Sequence, residues 1–364
     1  MNKIKAFLAR KGVVCSFRQY GVDALGAMAQ GLFCTLLVGT ILNTLGQQLH
    51  IGFLTAPVVS VGTVSYTVGG LASAMVGPGI AVAIGTALHC PPLVLFSLIP
   101  VGFAANAMGG AGGPLAVYAV TIIAAELGKL VSKETRIDIL VTPCVTVIAG
   151  IAVAQLIAAP IGTAARAVGL AIMWATELQP FFMGVLVSAL IGIALTLPIS
   201  SAAICAAFGL TGLAGGAAVA GCCAQMVGFA VMSFKENRWG GLVAQGVGTS
   251  MLQMPNILKN PRIWIPPTLA SMITGPLATC VFKLQMNGSP VSSGMGTCGF
   301  VGQIGVYTGW VNDIAAGTKA AITPMDWIGL VLICFILPAV LSTLFCRVLE
   351  KRGWIREGDM KLDL

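Results

Sequence analysis

The chain has 364 residues, 57% hydrophobic and only 9% charged, with a formal net charge of +8 and a mean hydropathy of +0.94. A soluble domain carries about 25% charged residues, so this chain cannot cover a water-facing surface and lipid must be its main solvent. Alternating ten-residue strands are missing, which excludes a transmembrane β-barrel and predicts an all-α polytopic membrane protein.

The positive charges are grouped. Lys3, Lys5, Arg10, Lys11 and Arg18 precede the first apolar run, and Arg347, Lys351, Arg352, Arg356 and Lys361 follow the last. Lys129, Lys133 and Arg136 sit between two runs, as do Lys235 and Arg238. This positive-inside pattern places both termini in the cytoplasm. No basic folded domain is present, so a nucleic-acid partner is not expected. Residues 1–21 read as a cytoplasmic basic segment, 22–348 as the transmembrane domain and 349–364 as a cytoplasmic tail. The basic segment is long, and the apolar run after Val22 is long enough to span, so a cleavable signal is not expected. Eleven cysteines contain no CxxC pair. Most fall inside apolar runs and read as small packing residues, so neither a disulfide framework nor a metal site is expected.

In chain order, a first span covers residues 22–45. His50–Gly70 is apolar but interrupted by Pro57, Gly62 and Gly69, with hydroxyls at Ser60, Thr63, Ser65 and Thr67; it reads as a broken or hydroxyl-lined span. Residues 72–103 are cut by Gly77-Pro78 and by His89-Cys90-Pro91-Pro92, where paired prolines force a break or kink. A glycine-rich tract follows at Asn106–Pro114, then a helix over 115–130 carrying Glu126. The basic loop 129–138 leads to a clean span at 139–157. Residues 161–179, with Arg166, Trp174 and Glu177, read as an interfacial crossover between halves 22–160 and 180–348. The second half opens with an apolar helix over 181–197. A small-residue tract, Pro198–Cys223, follows and suits close helix packing or a hairpin held inside protein. A short polar stretch at 240–255 and a span at 265–282 come next. After Asn287–Gly309 and a polar connection carrying Asp313 and Lys319, the last span covers 327–346. The total is about ten transmembrane helices with re-entrant hairpins.

Asn287–Gly309, NGSPVSSGMGTCGFVGQIGVYTG, is too rich in glycine and serine for an ordinary span and too apolar for a water-facing loop. Irregular backbone at membrane depth is tolerated only where protein buries it or where it lines a wet cavity. The tract aligns with Asn106–Pro114: Met108, Gly109 and Gly112 fall 187 residues before Met295, Gly296 and Gly299. Paired glycine-interrupted segments in two halves point to a transporter binding site. The candidate solute ligands are Asn287, Ser289, Ser292, Ser293, Gly294, Gly296 and Thr297. Pro198, Ser200 and Ser201 form a second candidate hairpin tip, and Asn106, Gly109 and Gly110 a third. Glu126, His89 and Asp313 are candidate coupling groups. No nucleophile–base pair, metal cluster or nucleotide loop is visible, so neither catalysis nor a cofactor is expected.

The elements NGSPVSSGMGTCGFVGQIG, LTLPISSAAICAAFGLTGLAGG and ALHCPPLVLF resemble a family of bacterial membrane proteins described as phosphotransferase-system EIIC-like, some of them as toxin regulators. The resemblance covers most of the chain. It implies two helical bundles with re-entrant hairpins, a homodimer, and a sugar-like substrate handled between the bundles. The chain departs from the sugar EIIC pattern by lacking a Gly-Ile-Thr-Glu-type motif. Any phosphorylation is expected to need separate EIIA- and EIIB-like chains. Two functions follow as expectations: a carrier for a small polar solute, or a solute-binding membrane sensor acting through a partner protein.

Overall fold

Apolar runs become helices, and proline and glycine decide where they stop. The computed structural model describes residues 7, 8, 10–13 and 16–362; Lys3 and Lys5 lie outside the described residues. The chain forms two compact units, 1–165 and 166–364.

In the first unit, α1 (Arg18–Gln48) is a 31-residue apolar helix, relaxed by π turns at Arg18–Asp23 and Phe33–Leu37. His50, at φ 52, ends it. The segment read as a broken span is something smaller. One helical turn, α2 (Gly52–Thr55), leads into an antiparallel hairpin of β1 (Val59–Val61) and β2 (Val64–Tyr66). Gly62 supplies the left-handed first turn position that a two-residue hairpin favours. Three-residue strands cannot cross a bilayer, which needs about ten tilted residues per strand. Thr67 closes the segment, accepting from Gly70 N at 3.0 Å and donating to Asn43 Oδ1 at 2.7 Å.

The helices α3 (Val68–Ala74) and α4 (Val76–Ala87) meet at a 54° bend. After the Pro91-Pro92 break come α5 (Pro92–Gly109), α6 (Gly113–Val131) and the 39-residue α7 (Asp138–Thr176). Gly110, at φ 52, turns the chain back between α5 and α6. A side chain on Gly128 would meet Val94, and one on Gly109 would meet Ala116, so the two helices run antiparallel. Gly150 packs on Val101 and Gly162 on the Gly109 carbonyl, so α7 runs alongside α5. At 1.5 Å per residue α7 is about 58 Å long, well beyond a bilayer core of about 30 Å. Residues 161–176 of the 161–179 segment are therefore the helical continuation of the preceding span. Most of α7's apolar side chains point outward, Leu156 being 74% exposed; large apolar faces of this kind belong against lipid.

Among the described residues, five helical stretches are long and apolar enough to cross a membrane, or six if the bent α3–α4 pair is one span. One of the five, Pro92–Val131, contains the reversal at Gly110 and so supplies two antiparallel helices of 18 and 19 residues. Each is about 27 Å long, near the bilayer core thickness.

At the end of this unit where α6 stops, the N-terminal segment docks on the 132–138 loop. Arg10 and Lys11 reach Glu134 at 2.7 and 2.5 Å, and Lys11 donates to the Ser132 carbonyl. The hydrogen bond from Lys11, with the nearby Arg10 charge, holds the Glu134 carboxyl below its ordinary range. An acid with a lowered folded pKa stabilises above its unfolded value and loses that contribution as pH falls through the folded one. Amide exchange at residues 10–13 should therefore rise only when acidification passes below the usual glutamate range. A rise beginning near neutral pH would contradict the assignment.

In the second unit, α8 (Pro180–Thr196) and the short α9 (Ser201–Ala207) lead to α10 (Gly212–Met232). The sequence of α10 is small or apolar on every side, as a fully buried helix requires, and 94% of its apolar window is inside the protein. It packs against α8, α13 (Ile265–Pro276) and the last helix, α16 (Pro324–Lys351). Glycines set the spacing: a side chain at Gly221 would strike the Ser188 carbonyl, and one at Gly216 the Leu284 carbonyl. Such small-residue contacts let helix backbones approach closely where lipid provides no hydrophobic drive. Val219, Ala220, Cys223, Met286, Val306, Trp310, Ile333 and Cys334 form the core around this helix. The remaining helices are α11 (Phe234–Val243), α12 (Met254–Lys259), the single turn α14 (Pro290–Ser293) and α15 (Val301–Ala315).

The C-terminal tail folds back on the basic end of this unit. Glu236 accepts from Gly358 N and Met360 N, both at 3.0 Å. Asn237 donates to Met360 O at 2.8 Å and accepts from Leu362 N at 2.8 Å. Gln253 and Asn256 donate to Met360 O and Lys361 O, each at 2.9 Å. In each unit the basic segments grouped by the positive-inside reading thus lie together. Asn237→Ala removes two of the tail bonds, worth about 1–3 kcal/mol together, and should make residues 356–362 protease-sensitive while leaving helical content unchanged. An unchanged cleavage rate would show that the other ligands hold the tail without it.

Candidate functional site

Three of the candidate tracts fall into two places. Asn106, Gly109 and Gly110 are in the first unit, where they form the close crossing of α5, α6 and α7. The Asn106 side chain lies where a Cβ on Gly113 would meet its Oδ1 at 2.5 Å. The Pro198–Ser201 and Asn287–Thr297 tracts are in the second unit and pack on each other.

The second tract begins where α13 ends in a π turn, Leu277–Val281. Lys283, at φ 46, swings the chain out. Met286 then pairs with Gly212 through two backbone hydrogen bonds of 3.0 Å. From there the chain runs along α10 through α14 to Gly296, which rests on Cys222 and Cys223. Gly299 and Phe300, at φ 50 and 58, turn it into α15. The return leg packs on the outward leg through glycines: Gly302 on Gly296, Gly305 on Gly288 and Gly309 on Asn287. This is a closed hairpin. Its tip sits about ten residues along α10 from its mouth, about 15 Å at helical rise.

The hydroxyls read as solute ligands are used inside the protein. Ser293 Oγ donates to Leu210 O at 2.6 Å and Ser201 Oγ to Gly294 O at 2.7 Å. Thr297 Oγ1 lies 3.5 Å from Met226 Sδ. Ser200 caps α9 by accepting from Ala203 N at 3.1 Å. Ser292 is buried beside Gly305, Ser289 is exposed, Pro198 is buried, and a side chain on Gly294 would meet the Ser201 carbonyl. In this conformation Ser201 and Ser293 tie the two tracts together. One buried polar atom near the tip has no protein partner: Gln303 Oε1, whose amide Nε2 donates to Cys223 Sγ at 3.2 Å.

Polar groups that face open space gather at the hairpin mouth instead. A cavity of about 450 Å³ is lined by Lys283, Gln285, Asn287, Trp310, Asp313, Thr318, Lys319 and Asp326. Asn287 Nδ2 donates to both Asp313 oxygens, at 3.1 and 2.9 Å, and to Gln285 Oε1 at 3.1 Å. Lys319 Nζ pairs with Asp326 Oδ1 at 2.9 Å and lies 6.0 Å from the centre of the Trp310 ring. Asp326 Oδ2 completes a capping box with Thr323 at the start of α16. Trp310 stands edge-on to Trp327, which in turn leans on Tyr307. Lys283 makes no ion pair among the described residues. The cup offers two cations, two carboxylates, two amides and an aromatic wall.

Asn287 and Asp313 were legible as candidates. Lys283, Gln285, Thr318, Lys319 and Asp326 were not, because three separated segments contribute them. Trp310 is buried and forms the cup wall. The other coupling candidates lie elsewhere. Glu126 pairs at 3.0 Å with Lys129, whose side chain is only 1% exposed. His89, at φ 53, is an exposed turn residue between α4 and α5.

Apolar helices of this length, folded around an irregular buried hairpin, define a polytopic integral membrane protein. Residues 22–362 match the family model described as phosphotransferase system, EIIC, and the chain belongs to that family. Searches of curated proteins and of solved structures found no match. Family and fold together make the chain a membrane transporter component.

Proposed function

We propose that this protein is an EIIC-type carrier that moves a small polar solute, sugar-like or anionic, by alternating access around the Gly296 hairpin. The observation that carries this reading is the polar cup at the mouth of a hairpin whose tip reaches the middle of the central helix. Half of a bilayer core is about 15 Å, so such a tip lies near the midplane, where carriers hold their solutes. The basic end of α16, with Arg347 and Lys351, belongs in the cytoplasm by the positive-inside rule. The cup, at its other end, then opens to the outside of the bacterial inner membrane. Its volume suits a small ligand, and its amides, carboxylates and tryptophan suit a molecule with hydroxyls on one side and an apolar face on the other. Both termini are cytoplasmic in this arrangement. A homodimer is the expected assembly, and any phosphoryl transfer belongs to separate EIIA- and EIIB-like chains, since this chain has a transport role and no catalytic one.

A second reading, a solute sensor acting through a partner, draws on the strapped C-terminal tail, which presents an ordered surface at the basic end. Flux and binding measured on the same proteoliposomes separate the two. A panel of labelled hexoses, hexitols and small organic anions should include a solute that both raises the thermal midpoint and crosses the membrane. A solute that binds without crossing would replace the carrier by the sensor.

A further inference from the structure

The first unit holds a second polar cavity, about 330 Å³, lined by Arg10, Lys11, Lys129, Ser132, Lys133 and Glu134. It lies where α6 ends and α7 begins, at the end of two apolar helices. Its charges do not balance. Arg10 and Lys11 share Glu134. Lys129 takes Glu126 at 3.0 Å and the Gly12 carbonyl at 3.3 Å. Asp138 is engaged by the Lys133 backbone N–H at 2.7 Å and by Thr142 Oγ1 at 2.6 Å. Arg136 adds a further cation in the same loop. The cavity wall thus carries four cations, Arg10, Lys11, Lys129 and Lys133, against Glu134 and the Glu126 paired with Lys129, and Lys133 makes no ion pair among the described residues.

Two of these cations are withdrawn from water, with side chains only 1% exposed at Lys129 and 8% at Lys11. Both are paired, with Glu126 and Glu134, which leaves the excess charge on the exposed Arg10 and Lys133 at the cavity's rim; like charges gathered around a partly enclosed site favour a bound anion. Its place at the helix ends puts the cavity at the level of lipid headgroups, and basic pockets on the cytoplasmic side of helix bundles hold phosphate-bearing headgroups. Arg10 brings a planar donor fork, whereas the lysines act as point charges.

We infer that this cavity is a phosphate site, taking either the headgroup of an anionic phospholipid or a free phosphate. It is independent of the solute cup and of the carrier reading. The test uses the full chain in nanodiscs. Replacing part of a phosphatidylcholine bilayer with phosphatidylglycerol should raise the thermal midpoint of the wild type. Adding inorganic phosphate to pure phosphatidylcholine discs asks whether the free ion suffices. Arg10→Gln with Lys133→Gln should weaken half-saturation by roughly fivefold per lost cation while preserving the midpoint in neutral lipid. Both positions are exposed, and Lys129 is left in place because its removal would strand Glu126. If the double variant fails to insert, Lys133→Gln alone is read, with a loss of about fivefold expected. A rise with phosphatidylglycerol alone identifies the lipid, and a rise with inorganic phosphate identifies the free ion. No rise with either, or an equal rise in the variant, overturns the site.

Discussion

Gly296→Ala is expected to abolish solute flux while leaving the protein inserted and folded. Gly296 has φ +53, and a Cβ there would stand 2.6 Å from Cys222 Cβ, 2.8 Å from Cys222 C and 2.9 Å from Cys223 N. Two of those atoms are backbone of the most buried helix, so they cannot swing aside. The left-handed conformation costs an alanine roughly 1–2 kcal/mol, and the overpacking adds about 1–3 kcal/mol. The sum is smaller than the about 5–15 kcal/mol that holds a typical domain together, so the tip is displaced before the unit unfolds. A shift of about 1 Å in positioning groups costs on the order of a hundredfold in rate where geometry matters, and flux should fall at least that far. Gly62→Ala is the control: it carries the same left-handed penalty at φ +60, with nothing within 4 Å of the new methyl. Flux retained in Gly296→Ala would remove the hairpin tip from the transport path.

The class of fold was legible because it follows from solvent. With so few charges, the chain has to sit in lipid, and the grouped lysines and arginines set its ends. The structure then places Arg10 beside Glu134 and Met360 beside Asn237, so basic segments distant in sequence meet within each unit. The hairpin was legible for a related reason. Closely spaced glycines and serines at membrane depth need a backbone-on-backbone environment, and the Gly288–Gly305 and Gly296–Gly302 contacts are that environment.

The role of its hydroxyls was harder to read. Serine looks the same in sequence whether it faces a solute or satisfies a neighbouring carbonyl. The choice at Ser201 and Ser293 depends on Gly294 O and Leu210 O, which only folding brings near. The glycine repeat also means less than its spacing suggests. Gly110 and Gly299 both turn the chain at positive φ, but the legs of the first are helices of 18 and 19 residues. The outward leg of the second contains only a single helical turn. His50–Gly70 was misread because period-two alternation over three-residue strands is too brief to distinguish from an interrupted apolar run.

Asp313→Ala should lower the apparent affinity for a hydroxyl-bearing solute by about 10- to 100-fold, the range expected when a hydrogen bond to a charged group is lost. Its carboxylate is the acceptor that both orients Asn287 and faces the open cup. Because Asp313 is only partly buried, stability should change little, and the thermal midpoint without solute should stay within a few degrees of wild type, as expected for a ΔΔG near 1 kcal/mol or less. Asp313→Asn then separates two kinds of recognition. The amide keeps one acceptor oxygen but loses the charge. A solute held through its hydroxyls should keep more of its affinity in Asp313→Asn than in Asp313→Ala, whereas an anionic solute should bind both variants at least as well as wild type, because a repelling charge is gone. Trp310→Ala is the companion measurement, since Trp310 is only 3% exposed and also supports Trp327. That change should cost about 3–5 kcal/mol of stability together with the affinity. Affinity lost in Trp310→Ala but unchanged in Asp313→Ala would mean that the cup acts as a structural wall, and the solute path would then have to be sought at Gln303 beside the hairpin tip, whose Oε1 has no partner among the described residues.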